Sequence, residues 1–233
     1  MRIHGGASRS GAGGPSRARA AGLLLLLALA CAAPEAQQGD SILVTVPPLV
    51  HPVKRLVGDE LRVGVLLPPG ANPTTHAPSV ADRRAVAAAD LLVVVDHPNF
   101  PFERVWLGPL TAERPDLPRA GAGRGADEAD GDPHVWTDPI RMREFVARLE
   151  AALSARWPER ADGFRANRAR FEAEIDALDA ELATLLEPVS GRSFFVFHPA
   201  WGHFARRYGL VQVALERDHK EPGPHALAQT LER

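Results

Sequence analysis

Three short runs dominated by apolar residues, Ile42–Val46, Leu61–Leu67 and Leu91–Val95, constrain the fold of this chain more than any other feature. Each is only strand-long, and the first two stop at proline pairs, Pro47-Pro48 and Pro68-Pro69. Leu49–Val57 can form a helix between the first two runs. Ser79 is a candidate N-cap for a second helix through Ala88. Strand–helix–strand–helix–strand with near-continuous apolar strands predicts a parallel sheet covered on both faces.

Residues 119–132 hold Gly, Ala, Arg and acids without apolar periodicity, and read as a solvated loop. A helix is expected from Pro139 to Arg156, and a second from Pro158, where proline is tolerated in the first turn. In the second, Phe164, Phe171, Ile175, Leu178, Leu182 and Leu185 recur at spacings of 7, 4, 3, 4 and 3, one face of a helix ending near Glu187-Pro188. At about 1.5 Å per residue such a helix is roughly 45 Å long, enough to cross the molecule as a spacer. Beyond it, Phe194–Phe197 and Leu210–Leu215 read as strands around a helix Ala200–Tyr208, and Pro224–Leu231 as the start of another helix. The fold class is therefore α/β, with two parallel-sheet lobes joined by one long helix and the C-terminal lobe incomplete. The expected division is 41–138, 139–187 with the linking helix 158–187, and 188–233.

The first 31 residues carry four arginines, no acid, and an apolar run from Ala21 to Ala30 that is short for a membrane span. That is the pattern of an export signal. Cys31, the single cysteine, directly follows the run. Its place resembles the lipidated first residue of a bacterial lipoprotein, with ordinary cleavage after Ala30 as the alternative. Without this segment 23 basic residues face 29 acidic ones, which excludes a basic nucleic-acid footprint. One cysteine also excludes a disulfide framework and a cysteine-rich zinc knuckle.

Chemistry, if there is any, rests on the nine histidines. His76 lies between the second strand and its helix, His134 lies in Asp132-Pro-His-Val-Trp-Thr-Asp-Pro139, and His198 directly follows the strand Phe194–Phe197. Ligands of open parallel sheets gather at the carboxyl ends of strands. Imidazoles converging there suit zinc, with carboxylates or carbonyls fixing the second ring nitrogen. From spacing alone each of them reads more readily as a turn residue than as a ligand. No His-Glu-x-x-His helix, glycine-rich phosphate loop or Gly-x-Ser-x-Gly elbow occurs.

The segments Asp132–Pro139, Phe194-Phe-Val-Phe-His-Pro-Ala-Trp-Gly-His-Phe-Ala205 with Tyr208-Gly-Leu210, Ala89–Val95 and Leu67–Pro73 resemble the zinc and manganese solute-binding proteins of bacterial ABC transporters, typified by ZnuA, TroA and PsaA. Pro101-Phe-Glu103 and Lys220-Glu-Pro222 are similar to one subgroup. The resemblance spans about residues 41–233. It implies two α/β lobes on one long helix with the metal between them, little hinge motion, and a likeness of His134 and His198 to family ligands. Where the family commonly has Pro-His this chain has Pro73-Thr74, so His76, two residues later, becomes the first-ligand candidate and His51 the reserve. The family's fourth ligand, an acid of the C-terminal lobe, would lie beyond residue 233. Three nitrogens favour Zn(II) over Mn(II). Residues 119–131 contain no histidine to scavenge metal.

His203 is expected beside the ligands or at the surface, and His97, His219 and His225 in loops or at the surface. Trp136 and Trp201 are expected to pack the interlobe cleft. The implied protein is a monomeric, non-enzymatic receptor that delivers zinc to an ABC permease, either free in the periplasm or anchored at the cell envelope through a lipidated Cys31. The rival readings are an adhesin or structural lipoprotein with a vestigial metal site, and a zinc hydrolase, which would need a general base beside the metal.

Overall fold

A computed structural model describes residues 40–123 and 131–216. The signal segment with Cys31, most of the 119–131 loop, Lys220-Glu-Pro222, His219, His225 and the helix expected at 224–231 lie outside the described residues. Four parallel strands form the first sheet: β1 (Ser41–Val44), β2 (Arg62–Val65), β3 (Leu91–Val94) and β4 (Arg119–Gly121), in the order β2-β1-β3-β4. Helices α1 (Val50–Val57), α2 (Val80–Ala88) and α3 (Pro101–Thr111) make the crossovers. Ile42, Val44, Leu91, Leu92 and Val93 are fully buried, as apolar strands covered on both faces must be. The Ser79 cap is present in full. Its hydroxyl accepts from the Asp82 N–H while the Asp82 carboxylate accepts from the Ser79 N–H, so two otherwise orphaned donors are satisfied together.

Two elements depart from the sequence expectation. Arg119–Gly121 is no loop: it pairs in parallel with β3 through Leu92↔Arg119, Val93↔Ala120 and Val94↔Gly121. An edge strand needs one ladder partner rather than an apolar run, and Arg119 further donates to Thr111 Oγ1 at 2.6 Å. Helix α3 has no counterpart in the sequence reading. It starts at Pro101, contains Pro109, and buries Phe102 and Leu110.

α3 also delivers the buried carboxylate of Glu103 to the crevice between β1 and β3, where the strand order reverses. Glu103 Oε1 accepts from Val95 N–H at 2.6 Å and from the Thr45 hydroxyl, and Oε2 from Asp96 N–H at 2.9 Å. These close the carboxyl ends of both central strands. Asp96 sits at φ 57°, and the chain beside it is packed so tightly that a Cβ on Gly121 would stand 2.2 Å from Asp96 Oδ2.

α4 (Pro139–Arg156) follows, then the long helix α5 (Ala161–Leu186), entered through a 3-10 turn at Pro158–Arg160. At about 1.5 Å per residue α5 is about 39 Å long. Its apolar face is divided. Phe164, Phe171 and Ile175 are buried against the first lobe, whereas Leu178 and Leu185 are 50% and 67% exposed among the described residues. Asn167 Nδ2 donates to the Leu56 carbonyl at 2.7 Å, and Arg168 bridges Glu150 of α4 and Glu172.

The second sheet pairs β5 (Ser193–Val196) and β6 (Val211–Ala214) in parallel, with α6 (Gly202–Arg207) as the crossover. α5 holds this lobe through Asp179, which accepts from the Arg207 guanidinium and, at 2.9 Å, from the Tyr208 hydroxyl. The Arg207 contact outweighs partial burial and holds the Asp179 carboxyl below its ordinary value. Burial and the neighbouring carboxylate push the Tyr208 phenol up to about 12.

Burial raises Glu103 above the ordinary carboxylic value, although its three hydrogen bonds oppose the shift. The folded protein thus takes up a proton there more readily than the unfolded chain, and stability from this group falls as pH rises through the carboxylate range. Glu103→Ala leaves two amides and a hydroxyl without their partner and is expected to cost about 2–4 kcal/mol in urea denaturation. Relative to Glu103→Gln, the native protein should gain stability as pH is lowered from neutrality. A pH-independent difference between the two would contradict the burial argument.

Candidate metal centre

The segment before α4 is held by its own acids. Asp132 Oδ1 accepts from the His134 backbone N–H at 3.0 Å, a local turn typical of Asp, and Thr137 Oγ1 donates to the His134 carbonyl at 2.9 Å. Asp138 then caps α4 by accepting from Ile140 N–H at 2.9 Å, with Pro139 in the first turn. His134 is therefore fixed at its backbone before its ring is considered. The ring is fixed too: Nδ1 lies 2.7 Å from Asp132 Oδ1. Trp136 packs edge-on against it, with centroids 5.3 Å apart.

His198 is placed from the other lobe. The β5–β6 register pairs Val196 with Ala214, and the ladder continues through Leu215 N–H to Val196 O and Glu216 N–H to Phe197 O, both at 2.9 Å. Two residues past Val196 and Ala214 come His198 and Glu216. Their side chains meet, with His198 Nδ1 2.7 Å from Glu216 Oε2.

Each ring thus turns its Nδ1 to a carboxylate and its Nε2 toward the other ring, and the two Nε2 atoms stand 3.2 Å apart. Two nitrogens bound tetrahedrally to one zinc ion at about 2.0–2.1 Å are separated by about 3.3 Å. The pair already has the edge length of a zinc tetrahedron. With both Nδ1–H groups donated to carboxylates, two Nε2 lone pairs face each other, a repulsion that a proton or a metal cation between them relieves. Burial by itself would raise Asp132. The His134 ring and backbone N–H, both hydrogen-bonded to it, outweigh burial and hold the carboxyl below its usual value.

The rings open on a cavity of about 720 Å³, lined also by Asn72, Thr74, Asn99, Arg206 and Gln212. Thr74 is at this lining and His76 is not. The His76 ring lies against Phe102, centroids 6.0 Å apart, and its buried Nε2 has no hydrogen-bond partner. Among the described residues no three His, Cys, Asp or Glu side chains stand together as a ready metal-binding group. The structure therefore brings His134 and His198 together and leaves His76 apart. His51, the reserve, packs edge-on against Phe171 and lines a separate apolar cavity of about 490 Å³ with Trp136 and Trp201. His97, expected in a loop or at the surface, lies in a loop but is only 5% exposed, its Nδ1 accepting from Asn99 N–H at 3.1 Å. His203 is also interior, at 1% exposed. Sequence reading missed Glu216 and left His203 between a place beside the ligands and the surface. Glu216 could have been found only with the β5–β6 register in hand.

Two parallel-sheet lobes on a long helix, with a back-bonded histidine pair between them, define a two-lobed binding protein of the kind that holds a small ligand at the junction. The chain belongs to the family described as zinc-uptake complex component A, periplasmic (ZnuA), which matches residues 42–233. The zinc-binding lipoprotein AdcA of Streptococcus pneumoniae is 27% identical over 91% of this chain and 46% of its own length. The high-affinity zinc uptake system protein ZnuA of Paracoccus denitrificans is 28% identical over 82% of this chain and 71% of its own. The chain thus spans less than half of AdcA. Among solved structures, a crystal structure of ZnuA superimposes with a TM-score of 0.76 at 31% identity, over 83% of this chain and 77% of that one. Zn(II)-bound AdcA from Streptococcus pneumoniae gives 0.68 at 27%, over 82% and 42%.

If the two carboxylates orient the rings, Asp132→Ala and Glu216→Ala should each weaken zinc binding by about 10–100-fold, the usual cost of losing such a partner. Competition against a chromophoric chelator measures this, and unchanged affinity in both would contradict the assignment.

Proposed function

We propose that this chain is an extracytoplasmic receptor that captures Zn(II) and delivers it to an ABC permease of the membrane. The observation that carries the reading is the pair of Nε2 atoms 3.2 Å apart, each ring backed by its own carboxylate. Imidazole donors favour Zn(II) over Mn(II), which prefers carboxylate oxygens. The zinc-binding names of AdcA and of the Paracoccus ZnuA support the same cargo.

The proposed ligands are His134 and His198, with His76 as the third. His76 reaches the ion only if the 69–78 loop swings its ring away from Phe102. A buried ring nitrogen without a hydrogen-bond partner costs about 1–3 kcal/mol, a penalty that ligation of His76 would remove. Water or a carboxylate oxygen completes a tetrahedron. The role is binding and hand-over, with no bond made or broken in the cargo.

The proposed organisation keeps residues 41–138 as the first lobe, 139–187 as the helical connector and 188–233 in the second lobe, with 1–31 as an export signal and Cys31 as the lipid attachment point. Among the described residues no helix is long and apolar enough to cross a membrane. The receptor works as a monomer in the periplasm or held at the envelope. The lipoprotein name of its pneumococcal relative supports the anchor.

The double variant His134→Ala, His198→Ala tests the assignment. It should lose at least about 100-fold in zinc affinity by isothermal titration, since two of the three proposed imidazole ligands are gone. Retention of native affinity would sink the reading.

A further inference from the structure

Helix α6 carries a buried polar side chain that the metal pair itself does not use. His203 is 1% exposed, its Nε2 lies 2.9 Å from the main-chain carbonyl oxygen of Asp132, and its Nδ1 lies 2.8 Å from an Arg206 guanidinium nitrogen. A guanidinium only donates, so Nδ1 accepts and the hydrogen sits on Nε2, which donates to Asp132 O. The acceptor matters because it belongs to the residue whose carboxylate holds the His134 ring and N–H. Meanwhile His203 lies on the helix that directly follows His198 and its turn. One imidazole therefore ties the backbone that carries the first ligand to the segment that carries the second.

A second contact on Asp132 points the same way. A Cβ added at Gly202 would stand 2.5 Å from Asp132 Oδ2, so α6 lies against this residue without space to spare. Its carboxylate is pressed on Gly202 and its carbonyl is bonded to His203. The position of Asp132, and through it the His134 ring, is set by the second lobe.

We propose that His203 is a positioning residue for metal capture: by anchoring Asp132 to α6 it fixes the distance between His134 and His198. The inference rests on the zinc-receptor reading. Removing the anchor lets the loop 131–134 drift relative to His198, and a drift of a few tenths of an ångström takes the nitrogens off the tetrahedral edge. Loss of the hydrogen bond by itself would be only a stability effect, so the test must read geometry as well as affinity.

Three single variants of the full chain, His203→Leu, His203→Gln and Gly202→Ala, would be compared with the native sequence for zinc affinity, melting temperature and the visible d–d spectrum of bound Co(II). The amide of Gln can still donate to Asp132 O, so His203→Gln should stay close to native in all three. His203→Leu should lose about 10–100-fold in zinc affinity, and its Co(II) bands should weaken and shift as the tetrahedral geometry is lost. Gly202→Ala keeps His203 but displaces the Asp132 carboxylate, and should move the spectrum in the same direction. Should His203→Leu not fold, His203→Phe, a ring that fills the same space without the Nε2 donor, carries the test with the same expected loss. Native affinity and spectrum in both His203→Leu and Gly202→Ala would overturn the proposal while leaving the receptor reading intact. Equal loss of melting temperature and affinity in His203→Leu and His203→Gln would also overturn it, by showing a packing role only. A native chain that binds no zinc would overturn both readings together.

Discussion

Both lobes of this protein hang on one face of α5. Near its start Phe164, Phe171 and Ile175 are buried against α1 and α4, and burying side chains of this size contributes about 1.5–3 kcal/mol each. Further along, Asp179 takes the Arg207 guanidinium and the Tyr208 hydroxyl of the second lobe. A helix of 26 residues has little freedom to bend without a proline or glycine pair in its middle, and α5 has neither. The distance from the anchor in the first lobe to the anchor in the second is thereby fixed by the helical rise. Every interlobe distance, including the one between His134 and His198, inherits that constraint.

Within this frame the metal centre is built from two local devices that are chemically alike and structurally unrelated. Asp132 reaches His134 two residues along the chain, as a turn-forming acid does. Glu216 reaches His198 across a parallel pair of strands. Both give the same result, a ring whose Nδ1 is occupied and whose Nε2 points into the gap. Two Nε2 atoms 3.2 Å apart fit a shared cation without rearrangement of either side chain. The long connector, unbroken in its middle, offers no large closing motion, which suits the proposed receptor role.

Much of the architecture was legible in the sequence because its signals are local. The apolar runs gave β1, β2 and β3, the Ser79–Asp82 box gave the start of α2, and the spaced aromatics and leucines gave α5. What escaped is stabilised by partners distant in sequence. β4 is Arg-Ala-Gly, with no strand propensity of note, and exists because β3 offers it a ladder. The outward turn of Leu178 and Leu185 could not be read from spacing, which reports a shared face but not whether anything covers it. The centre divides in the same way. His134 and His198 stand in recognisable segments, whereas Glu216 depends on strand register, and His203 was left between a place beside the ligands and the surface because nothing local shows that it is turned against Asp132. His76 was joined to the other two by its place after the second strand and by the resemblance, and its ring lies against Phe102 rather than on the cavity the other two line.

The central claim is that one zinc ion sits between the Nε2 atoms of His134 and His198. X-ray absorption at the zinc edge of the loaded chain, alongside His134→Ala and His198→Ala single variants, tests it most directly. The account predicts a tetrahedral shell of light atoms at about 2.0–2.1 Å with at least two imidazole scattering patterns, one of which disappears in each variant. A zinc shell that keeps the same imidazole count in both variants would place the ion elsewhere and contradict the account.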